Sequence, residues 1–173
     1  MLFGRDMVVM MCDVLELEEG MKVLEVGTGS GYHAALCAEI VAPTGSNAKG
    51  HVYTIERIPE LVEFAIDNLR RAGYLDRVTV ITGDGSEGYK EMAPYDAILV
   101  TAAAPRVPQP LVDQLKIGGR MAIPLGSLFM YQELVVIEKV EEGKTKKQRF
   151  GSVAFVPLLG KWGFSTNSSS LSL

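Results

Sequence analysis

A strand-like run that passes directly into alternating glycines is the part of this chain best suited to holding a ligand. Residues 23–32 are Val-Leu-Glu-Val-Gly-Thr-Gly-Ser-Gly-Tyr. Glycine permits positive φ angles and lets a ligand approach the backbone closely. Nucleotide-type ligands sit where a strand ends and a helix begins. We therefore predict a nucleotide-type cofactor loop, with candidate contacts at Gly27, Thr28, Gly29, Ser30 and Gly31.

The glycine spacing and one later carboxylate narrow the choice of cofactor. Tyr32 stands where a G-x-G-x-x-G fingerprint needs its third glycine, which disfavours NAD. Glu56 ends the next apolar stretch, where a carboxylate can accept hydrogen bonds from both ribose hydroxyls. The sequence contains no G-x-x-x-x-G-K-[ST] phosphate loop. These features favour an adenosine cofactor without phosphates, of which S-adenosylmethionine is the common one.

Two further strand ends supply small or polar candidates. Gly83, Asp84 and Gly85 follow one predicted strand, and Thr101 and Ala102 follow another. Asp84 could reach an adenine amino group while the flanking glycines keep the backbone close to the ring. An ordinary turn is the alternative interpretation of the same three residues, and their position beside the other two features favours the cofactor.

The remaining reactive side chains do not form a recognisable catalytic or metal-binding pattern. His33 and His51 lie far apart without a neighbouring ligand set, so we expect them at the surface or on a helix flank. Ser30 lacks the G-x-S-x-G elbow of serine hydrolases. Cys12 and Cys37 are isolated in apolar helical patterns and are expected to be buried free thiols. No metal site is predicted, and no residue is assigned as catalytic.

The absence of a general base is informative about the acceptor. Methyl transfer from a sulfonium to an ionised carboxylate needs no proton removed from the nucleophile. Holding the two reactants in line can lower the barrier by about 7–11 kcal/mol. A carboxylate acceptor therefore fits this sequence.

Composition indicates one globular domain. The chain has 173 residues, of which 47% are hydrophobic and 22% charged, and its formal net charge is −4. A net negative charge disfavours nucleic-acid binding, which depends on clustered Lys and Arg. No apolar run reaches the roughly 18 residues of a membrane span, and no signal peptide is recognisable. We expect a cytoplasmic protein with no membrane partner; the oligomeric state stays open.

Alternating periodicities predict an α/β fold. The near-continuous apolar run from Tyr95 to Thr101 indicates a strand buried on both faces, as in parallel sheets. We predict a doubly wound, mostly parallel seven-stranded sheet of Rossmann-like type, ending in an antiparallel pair, within a single domain over 1–164. Helices are predicted at 5–16, 31–41, 59–72 and 109–115. Strands are predicted at 22–26, 51–56, 77–82, 95–101, 119–124, 132–140 and 149–157.

Three local expectations complete the prediction. Leu61, Phe64, Ala65 and Leu69 should form the apolar face of the helix between Pro59 and Gly73. Residues 141–148 should form a solvated hairpin loop rather than a basic binding patch. The serine-rich tail 165–173 should be disordered.

Several blocks of the chain resemble the protein-L-isoaspartate O-methyltransferases, which start the repair of isoaspartyl sites. The resemblance covers nearly the whole chain. The blocks that carry it are 23–32, 52–57, 83–85, 95–96 with 101–105, 115–120 and 155–158. It implies methyl transfer from S-adenosylmethionine, giving S-adenosylhomocysteine, to the α-carboxylate of isoaspartyl residues in damaged proteins. It also implies that Glu56 holds the ribose, that Asp84 and Gly85 meet the adenine, and that Arg57, Thr101 and Ala102 belong to the cofactor site.

One segment departs from the family pattern. Family members carry an N-terminal helical segment ending in Thr-Ile-Ser-(Ala or Gln)-Pro-His-Met, and its serine lies at the active site. Aligned on Met7, this chain has Phe3, Gly4, Arg5 and Asp6 at the positions of that serine and the three residues after it. The active-site serine is therefore not carried over, and we expect this chain to lack the family's N-terminal segment. Two alternatives stay open: a non-catalytic cofactor-binding protein acting by interaction, and a methyltransferase for another acceptor.

Overall fold

The computed structural model describes residues 5–127 and 131–165, with side chains from residue 7 onward. The strands are β1 (Lys22–Val26), β2 (His51–Glu56), β3 (Val78–Thr82), β4 (Tyr95–Val100), β5 (Leu115–Gly126), β6 (Gln132–Glu141) and β7 (Lys144–Val153). The helices are α1 (Arg5–Leu15), α2 (Tyr32–Val41), α3 (Pro59–Ala72) and α4 (Gln109–Asp113), with short 3-10 turns at Gly85–Glu87 and Lys90–Met92. Phe3, Gly4 and all of the predicted disordered tail after residue 165 lie outside the described residues.

All seven strands form one sheet in the order β3-β2-β1-β4-β5-β6-β7. Neighbouring strands from β3 through β5 run parallel, whereas β6 is antiparallel to β5 and β7 is antiparallel to β6. The predicted mostly parallel α/β sheet with a terminal antiparallel pair is confirmed.

Helices cover both faces of this sheet, as its central strand requires. Ala97 and Leu99 of β4 pack in the core under α1, α2 and α3, while Ile98 and Val100 pack in the core on the opposite face, which α4 covers. Successive side chains of a strand point to opposite faces. The central strand β4 is therefore apolar from Ala97 to Val100, where both of its faces are buried.

The predicted apolar face of α3 is partly wrong. Val62, Ala65 and Leu69 are buried, whereas Phe64 is 51% exposed. The helix is bounded as predicted, by Pro59 in its first turn and by Gly73 in the left-handed conformation after its end. Two neighbouring stripes of α3 are apolar, one containing Leu61 and Phe64 and the other containing Val62, Ala65 and Leu69. The helix is rotated on the sheet so that the second stripe is buried.

The last hairpin also differs from the prediction. The chain turns tightly between Glu141 and Lys144, so residues 144–148 belong to β7 instead of a loop, and β7 ends at Val153 instead of 157. Strand β5 likewise begins at Leu115 instead of 119. The side chains from Lys144 to Arg149 are exposed on both faces of this edge strand. Because residues 144–149 have no buried face, this part of β7 shows no apolar alternation that a sequence pattern could detect.

None of the helices in the described part of the chain combines the length and the apolar character that crossing a membrane requires.

Candidate functional site

A cavity of about 710 Å³ opens at the carboxyl ends of β1, β2 and β4. Ligands of open α/β sheets occupy this edge because the strand-to-helix turns meet there. The structure brings nine of the twelve predicted cofactor residues to the cavity wall. They are Gly27, Thr28, Gly29, Ser30, Glu56, Arg57, Gly85, Thr101 and Ala102.

Thr101, which follows β4, holds the glycine loop in place through hydrogen bonds. The hydroxyl of Thr101 donates to the carbonyl oxygens of Val26 and Gly27, at 2.9 and 2.8 Å. Gly27 has a φ of 97°, and a Cβ at this position would clash with Thr101 Oγ1. Glycine is therefore required here by backbone conformation and by close packing. The Thr101 side chain therefore stabilises the conformation of the glycine loop.

Glu56 holds the other side of the loop. Its Oε2 accepts a hydrogen bond from the backbone N–H of Gly29 at 3.2 Å, and its Oε1 accepts from the N–H groups of Arg57 and Ile58 at 2.9 and 3.1 Å. The residue is buried yet lines the cavity. An ionised carboxylate has about four acceptor sites, so a ligand hydroxyl can add to these contacts.

Three predicted site residues lie outside the cavity wall. Gly31 has a φ of 82° and its Cα faces α3, where an added Cβ would lie 3.0 Å from Leu69 Cγ. Gly83 and Asp84 also do not contribute to the lining. Gly31 therefore serves the packing of α2 against α3, a use that its position in the loop does not reveal.

Asp84 is committed to a protein contact. Its Oδ1 accepts from the backbone N–H and the hydroxyl of Ser86, at 2.9 and 2.7 Å, and its Oδ2 accepts from the N–H of Lys161 at 2.8 Å. Ser86 Oγ in turn accepts from the N–H of Trp162 at 3.1 Å. The carboxylate thus ties the turn after β3 to the segment that follows the sheet.

The apolar walls of the cavity were not predicted as part of the site. Helix α1 contributes Met7, Val8 and Met11, and the start of α3 contributes Ile58 and Leu61. The segment 154–159 closes a further side. Apolar lining residues are indistinguishable in sequence from core residues, so only the tertiary fold identifies them.

A chain of hydroxyls links the loop to a fully buried carboxylate. Thr28 Oγ1 lies 2.6 Å from Thr54 Oγ1, which donates to Glu25 Oε2 at 2.5 Å. Burial raises the pKa of Glu25 to about 7, although the charge of His33 and the Thr54 hydrogen bond act in the opposite direction. Because β1 alternates, Glu25 points toward α1 and α2, the same face as Val23.

Two sequence predictions fail beside Glu25. His33 is buried instead of lying at the surface, and Cys12 and Cys37, although buried free thiols as predicted, are not isolated. The sulfur atoms are 3.8 Å apart, and Cys12 Sγ lies 3.7 Å from His33 Nε2. The detectable signal was the four-residue spacing of His33 and Cys37, which places both on one side of a helix.

These neighbours perturb one another's protonation. The hydrogen bond from Cys37, reinforced by His33, lowers the pKa of the Cys12 thiol to about 6 despite burial, and the same hydrogen bond raises the pKa of Cys37. Burial disfavours charge on His33, but its contacts with Cys12 and Glu25 outweigh this and raise the imidazole pKa. His51, by contrast, contacts Thr79 on a neighbouring strand, and burial lowers its pKa.

The sheet order, the glycine loop and the carboxylate at the end of β2 together define a Rossmann-like methyltransferase fold of class I. A family model described as protein-L-isoaspartate(D-aspartate) O-methyltransferase matches residues 4–163. The chain belongs to this family.

Relatives and solved structures agree with that assignment. The chain is 59% identical over 160 residues to a protein-L-isoaspartate O-methyltransferase of Hyperthermus butylicus and 56% identical over 158 residues to one of Pyrococcus horikoshii. Each alignment covers 91% of this chain, and 66% and 68% of the respective relative. The chain therefore spans about two thirds of the length of these curated relatives.

Two solved structures superpose over 91% of the chain. One is a protein-L-isoaspartate O-methyltransferase with a TM-score of 0.82 and 31% identity, of which this chain covers 48%. The other is a putative family member from Plasmodium falciparum in complex with S-adenosyl-L-homocysteine, with a TM-score of 0.79, 28% identity and 75% coverage.

Proposed function

We propose that this chain transfers a methyl group from S-adenosylmethionine to the α-carboxylate of isoaspartyl residues in damaged proteins. The observation that carries the proposal is the convergence of the glycine loop and Glu56 on one cavity, in a chain that belongs to the isoaspartyl methyltransferase family. The P. falciparum relative holds S-adenosyl-L-homocysteine, the product that such a transfer leaves.

The polar groups of the cavity fit S-adenosylmethionine. Glu56 has spare acceptor capacity for ribose hydroxyls, and Gly29 with its neighbours offers backbone at close range. Gly85 lines the cavity and can face the adenine, while Asp84 would first have to release Lys161 to do so. The cavity volume lies within the range of small-molecule sites, about 300–1,000 Å³.

Catalysis would depend on alignment and water exclusion. When bound, the cofactor supplies an electrophilic methyl group, which passes to a carboxylate oxygen as the carbon–sulfur bond breaks and its electron pair stays on sulfur. The apolar walls from α1 and α3 would exclude water around both reactants. In such surroundings, positioning can lower the barrier by about 7–11 kcal/mol. No general base is required, because the acceptor is already ionised.

The proposed partners are isoaspartyl peptides and proteins, in the cytoplasm, with neither nucleic acid nor membrane as partner. A net charge of −4 disfavours a phosphate-binding surface.

The test is transfer of labelled methyl to an isoaspartyl peptide. Its normal aspartyl twin and an isoaspartyl peptide whose α-carboxyl is amidated serve as controls, and cofactor binding is measured by calorimetry in parallel. Base-labile label on the unmodified isoaspartyl peptide alone is expected. Cofactor binding without transfer would contradict the proposal and favour a non-catalytic binding protein or another acceptor, whereas absence of binding would contradict the cofactor site itself.

A further inference from the structure

A buried cluster of two thiols and an imidazole lies between α1 and α2, behind the glycine loop. Cys12 comes from α1, and His33 and Cys37 come from successive turns of α2. All three side chains are buried. Their positions on two helices mean that one shared ligand would join α1 to α2.

The spacing of the three ligand atoms matches a metal centre. Cys12 Sγ lies 3.8 Å from Cys37 Sγ and 3.7 Å from His33 Nε2, and one ligand atom from each residue lies within 4.8 Å of the other two. Zinc bonds of about 2.3 Å to sulfur and about 2.0 Å to nitrogen place the corresponding tetrahedral edges at about 3.8 and 3.5 Å. Two edges are therefore already at the distances that coordination requires.

Glu25 provides a second and independent observation. It is fully buried, and its Oε1 has no hydrogen-bond partner among the described residues. This oxygen lies 3.7 Å from His33 Nδ1, on the side of the ring opposite the nitrogen that faces Cys12. A metal-bound histidine almost always donates its second N–H to a carboxylate, a backbone carbonyl or water, which fixes the ring and strengthens the ligand. A small approach of the ring would satisfy Oε1 in this way.

Charge and donor chemistry identify the class of ion. Two thiolates and a neutral imidazole are soft and borderline ligands, which select zinc or copper(I) over magnesium or calcium. With a divalent ion, loss of one proton from each thiol gives a coordination sphere with no net charge. Such a sphere is suited to a buried position, and the His33 N–H can then offset the Glu25 carboxylate.

We propose that Cys12, His33 and Cys37 bind one zinc ion, with Glu25 as the residue that positions the histidine. His33 and Glu25 also line the large cavity, which gives the ion a path to the site and water for its fourth position. Because α1 contributes Met7, Val8 and Met11 to the cavity wall, the ion would hold that wall against the glycine loop. This inference does not depend on the methyl acceptor.

Cobalt(II) titration of the reduced, metal-stripped 173-residue chain tests the proposal. We expect about one equivalent to bind, with a thiolate-to-cobalt charge-transfer band and the intense visible bands of tetrahedral cobalt, and zinc to displace it. C12S, C37S and H33N should each weaken binding at least about tenfold, and E25Q by about 10- to 100-fold. H51N is the matched control, because His51 has its hydrogen bond to Thr79 on the sheet, and it should bind as the parent does.

Cobalt titration of the unsubstituted chain is by itself enough to refute the proposal. Absence of the thiolate band at stoichiometric cobalt would refute it, even if the variants failed to fold. Equal binding by parent and H33N would refute the ligand set. A reduced chain that does not bind zinc, but in which oxidised glutathione readily converts Cys12 and Cys37 to a disulfide and is itself reduced to two thiols, would show a redox pair instead; the oxidised chain is then two hydrogens lighter by mass.

Discussion

Replacing Glu56 by Gln should weaken cofactor binding far more than it weakens the fold. In E56Q the amide oxygen can replace Oε1 and keep the bonds from Arg57 and Ile58. The amide NH2 then occupies the place of Oε2, where it meets the N–H of Gly29 and can no longer accept. One hydrogen bond to a charged acceptor is lost, together with the acceptor for a ribose hydroxyl.

The size of each effect depends on whether water can reach the groups that E56Q leaves unpaired. In the free protein, the N–H of Gly29 lies at an open cavity and can bond to water, so we expect a stability loss of only about 1 kcal/mol. With cofactor bound, water is displaced and the unpaired groups cost about 1.5–3 kcal/mol. The dissociation constant for S-adenosylhomocysteine should therefore rise about 10- to 150-fold.

Isothermal calorimetry with S-adenosylhomocysteine and urea unfolding provide the two measurements. Glu60 is an exposed carboxylate in the first turn of α3, four residues after Glu56, so E60Q removes equal charge beside the site without touching the loop. It should bind within about twofold of the parent. If E56Q bound within threefold of the parent, or E60Q weakened binding equally, the assignment of Glu56 to the ribose would be refuted.

Two other substitutions test how the site is supported. G27A should lose more stability in urea unfolding than G45A, by about 1–3 kcal/mol: both glycines have positive φ, but only at position 27 would Cβ displace the Thr101 hydroxyl. Equal losses would show that φ alone matters. D84N should loosen the segment after the sheet and change the fluorescence of Trp162, the chain's single tryptophan, whereas an unchanged spectrum and unchanged amide exchange would contradict this role.

The sequence was most predictive where burial or backbone conformation leaves few residue types possible. β4 is buried on both faces from Ala97 to Val100 and is apolar there, and Gly27 combines a positive φ with close packing against Thr101. Prediction failed where one sequence pattern is compatible with two different buried faces. Both stripes of α3 are apolar enough to be buried, so Phe64 was placed wrongly.

The contact of Cys12 with His33 and Cys37, behind the glycine loop, was missed for another reason. Cys12 and His33 are separated in the chain, and their contact exists only because α1 and α2 pack on the same face of the sheet. The contact between Asp84 and Lys161 likewise joins residues far apart in the sequence, so no local pattern indicates it, and the assignment of Asp84 to the adenine stays a prediction. Contacts of this kind follow from tertiary packing, which local patterns do not contain.

The exposed character of β7 affects how copies of this protein meet. β7 is an edge of the sheet, and an edge strand offers unpaired backbone groups to a strand from another molecule. Lys144, Lys146, Lys147 and Arg149 are all exposed along it. A second copy that docks with its own residues 144–149 opposite these would bring like charges together. The lysines that the sequence placed in a solvated loop, together with Arg149, thus disfavour pairing of this edge with the same edge of a second copy.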